Sequence, residues 1–118
     1  MAALNAQENE FIQSLRKQGL IDERNFVIST DVTASNGNSG RAWVTLSGDT
    51  LRLFALESFT RLGELIETID LKQARLLKAV GNAFVSTVKL ESGGVQYTFR
   101  HFIQARTVVT ILKEAMGA

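Results

Sequence analysis

Between Asn25 and Arg100 the chain passes through short runs rich in β-branched and aromatic residues, each ended by a turn signal. It then closes on one amphipathic stretch from Phe102 to Met116. That order constrains the fold more than any other feature. Strands separated by tight turns pair antiparallel, and a terminal helix with an apolar stripe must lay that stripe on the sheet. The runs are residues 26–33, 40–47, 50–57, 63–70, 75–79, 83–91 and 94–100. In the closing stretch Phe102, Ala105, Val109, Leu112 and Met116 recur at helical spacing, and Val108, Ile111 and Ala115 widen the stripe.

Two turns set pairing registers. Gly48-Asp49 is a two-residue loop with glycine first, which suits a type II′ hairpin. Ser47 then pairs with Thr50, Trp43 lies opposite Phe54 and Arg41 opposite Leu56. Ala42, Val44, Leu46, Leu51 and Leu53 face the interior. Gly93-Gly94 makes a second hairpin, with Phe84, Val88 and Leu90 on one face of its first strand and Val95, Tyr97 and Phe99 on one face of its second. Residues 70–80 allow two readings: a helix capped by Asp70 and Gly81, or one turn over 71–74 leading into a strand at 75–79. Eleven residues between two strands leave little space for a packed helix, which favours the strand.

Ahead of the strands, residues 4–18 carry Leu4, Phe11, Ile12 and Leu15 on one helical face. Arg16 and Lys17 complement the negative helix end, and Gly19 followed by Leu20 forms a stop signal. The chain divides into a helical extension, 1–24, and one domain, 25–118. A length of 118 residues leaves no room for two independent cores.

Composition excludes several chemistries. The chain has no cysteine and one histidine, which removes thiolate chemistry and makes a zinc site a poor expectation. Thirteen basic and twelve acidic side chains are spread along it, without the basic stripe of a nucleic-acid binder. The first residues lack a signal-peptide pattern, and no apolar run reaches the ~18 residues of a membrane span. The expectation is a cytoplasmic protein without cofactor or metal.

The wording GRAWVTLSGDTLRLFAL, then IETIDLKQARLLK, then VSTVKLESGGVQYTF, then a terminal amphipathic helix, resembles the bacterial pleckstrin-homology-like families. The resemblance covers roughly residues 25–116. It implies an α+β fold: a strongly bent antiparallel barrel of about seven strands, closed at one end by the C-terminal helix, to which this chain adds an N-terminal helix. Family members that hold phosphoinositides carry clustered Lys and Arg on the first two strands and their loop. Here that loop is TASNGNSG and Arg41 stands alone, whereas a phosphate site needs several converging donors.

Few residues suggest chemistry. His101 sits at the strand-to-helix junction with no carboxylate near it in sequence, and reads as a surface or capping residue. Glu64, Glu67 and Asp70 alternate faces of one strand and read as solvated charge. Lys72, Arg75 and Lys78 form a small basic run suited to an anionic lipid surface, or simply to solubility. The glycine-containing segments lack phosphate-loop spacing and read as turns. The surface that stands out is aromatic. Trp43, Phe54 and Leu56 point away from the barrel interior, with Arg41 beside them, and clustered exposed apolar groups call for a partner. Three covers suit that face: the N-terminal helix through Phe11, Ile12 and Leu15, a protein interface, or a small apolar ligand. The expected function is a non-catalytic interaction module that assembles with itself, as a homo-oligomer, or with another protein, through this face or an exposed strand edge. The alternative is a peripheral lipid or small-molecule binder that uses the open barrel end and Arg41, Lys72, Arg75 and Lys78.

Overall fold

The computed structural model describes residues 10–21, 27–58 and 61–117. Its elements are helix α1 (Glu10–Lys17), strands β1 (Val27–Ala34), β2 (Ser39–Ser47), β3 (Thr50–Ala55), β4 (Leu65–Asp70), β5 (Arg75–Gly81), β6 (Ser86–Ser92) and β7 (Val95–Arg100), and helix α2 (Ala105–Met116). A single 3₁₀ turn, Leu71–Gln73, joins β4 to β5, with the Asp70 carboxylate accepting from the Lys72 backbone N–H. The strand reading of residues 75–79 is the one the fold adopts. Leu4 and the boundary at residues 24 and 25 lie outside the described residues.

All seven strands form one antiparallel sheet in the order β4-β3-β2-β1-β7-β6-β5. The β2–β3 hairpin has the expected register, Ser47 with Thr50 and Trp43 with Phe54. Gly48 takes φ +58°, as the first position of its turn requires. Pairing stops at Ala42 and Ala55, so Arg41 faces Asp31 of β1 rather than Leu56. β4 and β5 do not pair, and the bent sheet stays open between them.

The alternation of side chains along each strand builds two apolar clusters. Inside the bend, Val44, Leu46, Leu51, Leu53, Ile69, Leu71, Val88, Leu90, Tyr97 and Phe99 pack with Val108 and Leu112 of α2. The helix rests on β5 and the 3₁₀ turn. Gly81 permits that seat, because a Cβ there would overlap the Ala105 carbonyl. On the outer face, Ile12 and Leu15 of α1 pack with Ile21, Val27, Trp43 and Phe54.

One strand starts later than its sequence suggests. β6 begins at Ser86, and Phe84 lies outside it in the β5–β6 turn, 95% exposed instead of sharing a face with Val88 and Leu90. The cause is Asn82, whose side-chain carbonyl accepts from the backbone N–H groups of both Phe84 and Val85 while its own N–H donates to Val85. This local side-chain turn competes with the ladder and ends the pairing at Gly81 and Ser86.

Candidate functional site

The aromatic face is where the sequence places it, and it has a cover. Trp43 and Phe54 are 7% and 8% exposed. Phe11 of α1 tilts against Trp43 with ring centroids 5.3 Å apart, and the indole N–H donates to the Ser58 carbonyl at 2.8 Å. Of the three covers considered, α1 holds the position. Leu56 is half-buried at the edge of this cluster and also reaches the opening of the barrel.

That opening is the candidate site. A cavity of about 280 Å³ is walled by inward residues of five strands, among them Val32, Ala42, Leu53, Glu67 and Tyr97, with Leu56, Ile66 and the β1–β2 loop at its rim. Polar groups enter at a few places. The Tyr97 hydroxyl donates to Glu67 Oε1 at 2.8 Å. Burial first, and then the Glu67 carboxylate beside it, push the Tyr97 hydroxyl up to about 12. Glu67 is thus not a solvated surface charge: the register Leu53–Glu67 puts it on the inner face. The irregularity between Leu53 and Phe54 then returns Leu65, opposite Phe54, to the outer face.

Arg41 also borders the cavity, but its guanidinium is committed elsewhere. It donates to Asp31 Oδ1 at 3.1 Å and to the Ser29 hydroxyl at 3.2 Å. Asp31 also meets His101 Nδ1 at 2.5 Å. Hydrogen bonds from His101 and then Arg41 hold the Asp31 carboxyl below its ordinary value. His101 therefore does have a carboxylate partner, seventy residues away in sequence. All three side chains are open to solvent.

The expected basic run is dispersed. Lys72 pairs with Asp49 at 3.2 Å and Arg75 with Glu91 at 2.8 Å. A bulge at Leu77 sets Lys78 directly opposite Lys89. Among the described residues no group of three His, Cys, Asp or Glu side chains is arranged to hold a metal. No helix among them is long and apolar enough to cross a membrane.

Beside the cavity runs the outer edge of β4. Among the described residues this strand pairs only with β3. Leu65 and Ile66 on it are 50% and 47% exposed. The opposite edge of the sheet, β5, is backed by α2. The sequence shows no local signal for the β4 edge, because edge position is a property of the whole sheet order.

The chain matches no family model and no curated protein. Among solved structures it is similar to the pleckstrin homology domain of ArhGAP27, with a TM-score of 0.53 and 19% identity over 79% of this chain and 94% of that one. It is also similar to Vav1 inhibited by an allosteric inhibitor, with a TM-score of 0.64 and 12% identity over 92% of this chain. A Vav1 exchange-factor structure describing a structural role for its PH and C1 domains gives 0.62 and 10% over the same share. The chain spans about a third of the length of both Vav1 chains. With seven antiparallel strands, a C-terminal helix across the bend and these neighbours, the chain has a pleckstrin-homology-like fold.

Proposed function

We propose that this protein is a cytoplasmic, non-catalytic interaction module that takes an extended segment of a protein partner along the open edge of β4. A second copy of the chain is the simplest such partner. The observation that carries this reading is the pairing of a strand edge with apolar display: among the described residues β4 has one neighbour, Leu65 and Ile66 on it are half exposed, and Ile66 stands at the cavity rim. An unpaired edge offers a row of backbone donors and acceptors, and an adjoining pocket gives an added strand its side-chain selectivity. Trp43 and Phe54 support the module from within by anchoring α1, while Leu56 and Arg41 contribute to the rim. The test is solution mass by light scattering over a concentration series. The wild type should exceed one chain, and Ile66→Lys should shift association to at least about tenfold higher concentration, since a charge on an edge strand opposes pairing. A strict monomer that also selects no extended peptide from a random library would overturn the reading.

A second reading rests on the β5–β6 turn. Phe84 is almost fully exposed beside Val85, Ile103 and Arg106, and the backbone N–H groups of Phe84 and Val85 are already satisfied by Asn82. A tip that displays apolar side chains over a satisfied backbone suits shallow entry into an anionic lipid surface. Salt-sensitive sedimentation with phosphatidylserine vesicles, lost in Phe84→Ser, supports it. Sedimentation equal for both proteins counts against it.

A further inference from the structure

We propose that the cavity at the barrel mouth is a receptor for an ammonium group on an aliphatic stem, as a lysine side chain of the bound segment would present, with Glu67 as its counter-ion. This deepens the interaction reading and rests on the mouth being part of the binding surface.

The charge inside the mouth is one-sided. Among the described residues Glu67 is the only acidic one in the cavity's walls and Arg41 the only basic one. Arg41 is held on the outer face by Asp31 and Ser29, so its charge is already compensated there. Glu67 has a single neutral partner among the described residues, the Tyr97 hydroxyl on Oε1. A carboxylate can accept about four hydrogen bonds, and a half-buried anion served by one phenol is under-compensated. A cation delivered to the remaining oxygen gains both a charge partner and a hydrogen bond.

The walls select what carries that cation. Val32, Ala34, Ala42, Leu53, Ala55 and Ile66 are apolar and match a methylene stem. About 280 Å³ falls just short of the ~300 Å³ at which ligand cavities start, so the space suits one side chain. An ammonium brings three donors to satisfy and a guanidinium five. With one carboxylate as the charged acceptor, the ammonium is the better match.

The test uses the intact chain and three six-carbon probes, 1-aminohexane, 1-hexanol and hexanoate, titrated at neutral pH and followed by NMR shifts of Val32, Leu53, Ile66 and Tyr97. The amine should bind at least about tenfold tighter than the alcohol, equivalent to about 1.4 kcal/mol, and hexanoate should be weakest. Glu67→Gln should remove the preference for the amine, whereas Tyr97→Phe, which keeps the carboxylate, should retain it. Equal binding of all three probes, or no shift with any, overturns the proposal. The wild-type ratio of amine to alcohol decides the matter even if a variant fails to fold. The probes report on the cavity without a partner strand. Their failure alongside a positive light-scattering result sinks only the charge selectivity, and the converse sinks only the edge reading.

Discussion

Tyr97 on β7 donates its hydroxyl to Glu67 on β4 across 2.8 Å, although β3, β2 and β1 all lie between these strands in the sheet. A flat sheet would hold strands four places apart at roughly 19 Å, given ~4.8 Å between neighbours. The bond exists only because the sheet bends back on itself. It ties the two halves of the fold at the open mouth, while α2 ties them at β5 and the 3₁₀ turn.

The Tyr97 hydroxyl carries a pH signature. Its folded-state value stands at about 12 against an ordinary 10.0, so between those values the folded chain holds a proton that the unfolded chain has released. Linkage then makes stability complete below about pH 10 and erodes it as pH rises toward 12. Urea unfolding at pH 9 and pH 11.5 should show this loss. Tyr97→Phe should flatten the difference and cost about 1 kcal/mol at pH 7 through the lost hydrogen bond.

Asp31 gives the opposite sign at the other end of the scale. Hydrogen bonds from His101 and Arg41 lower its value below 3.8. Its stabilising contribution is present above the unfolded value and is lost as pH falls through the lower folded value. Carboxyl carbon shifts followed by NMR should show Asp31 titrating below 3.8. His101→Ala and Arg41→Ala should each move it back upward, since the His101 bond is the first cause and the Arg41 bond the second.

These groups also show what was legible in the residues alone. The seven strands, their turns and the Trp43–Phe54 register could be read locally, because alternation and glycine placement act over a few residues. The Asp31–His101 and Glu67–Tyr97 pairs join positions 70 and 30 residues apart, and only the sheet order brings them together. Phe84 has the composition of a strand residue, yet Asn82 withdraws its N–H into a turn. Glu67 stands between the surface charges Glu64 and Asp70 in sequence, whereas its own parity along β4 turns it inward. The edge character of β4 follows from what fails to pair with it.

Trp43 is now an anchor for α1, and truncating it should behave as a core deletion. Trp43→Ala should destabilise by about 3–5 kcal/mol, read by chemical unfolding. Phe11→Ala should act in the same direction by less, since Phe11 is only half-buried. Trp43→Phe should retain most of the packing and lose the bond to the Ser58 carbonyl, at a cost of about 1 kcal/mol.

At Gly81 the backbone of β5 lies close against α2. Gly81→Ala would drive a methyl group into the Ala105 carbonyl and the Val109 side chain. A cost of at least about 1–3 kcal/mol is expected from overpacking, because backbone on one side cannot yield as a flexible side chain would. Thermal unfolding measures it, with Gly93→Ala as a comparison in which the new methyl meets nothing but the left-handed backbone is strained.

The central claim, that β4 accepts an added strand, is tested most directly by amide hydrogen exchange along Leu65–Asp70, compared between dilute and concentrated protein. Pairing along this edge predicts that the β4 amides directed away from β3 become protected as concentration rises, and that Ile66→Lys abolishes the gain. If mass increases with concentration while those amides exchange at an unchanged rate, association occurs elsewhere on the molecule and the account is contradicted.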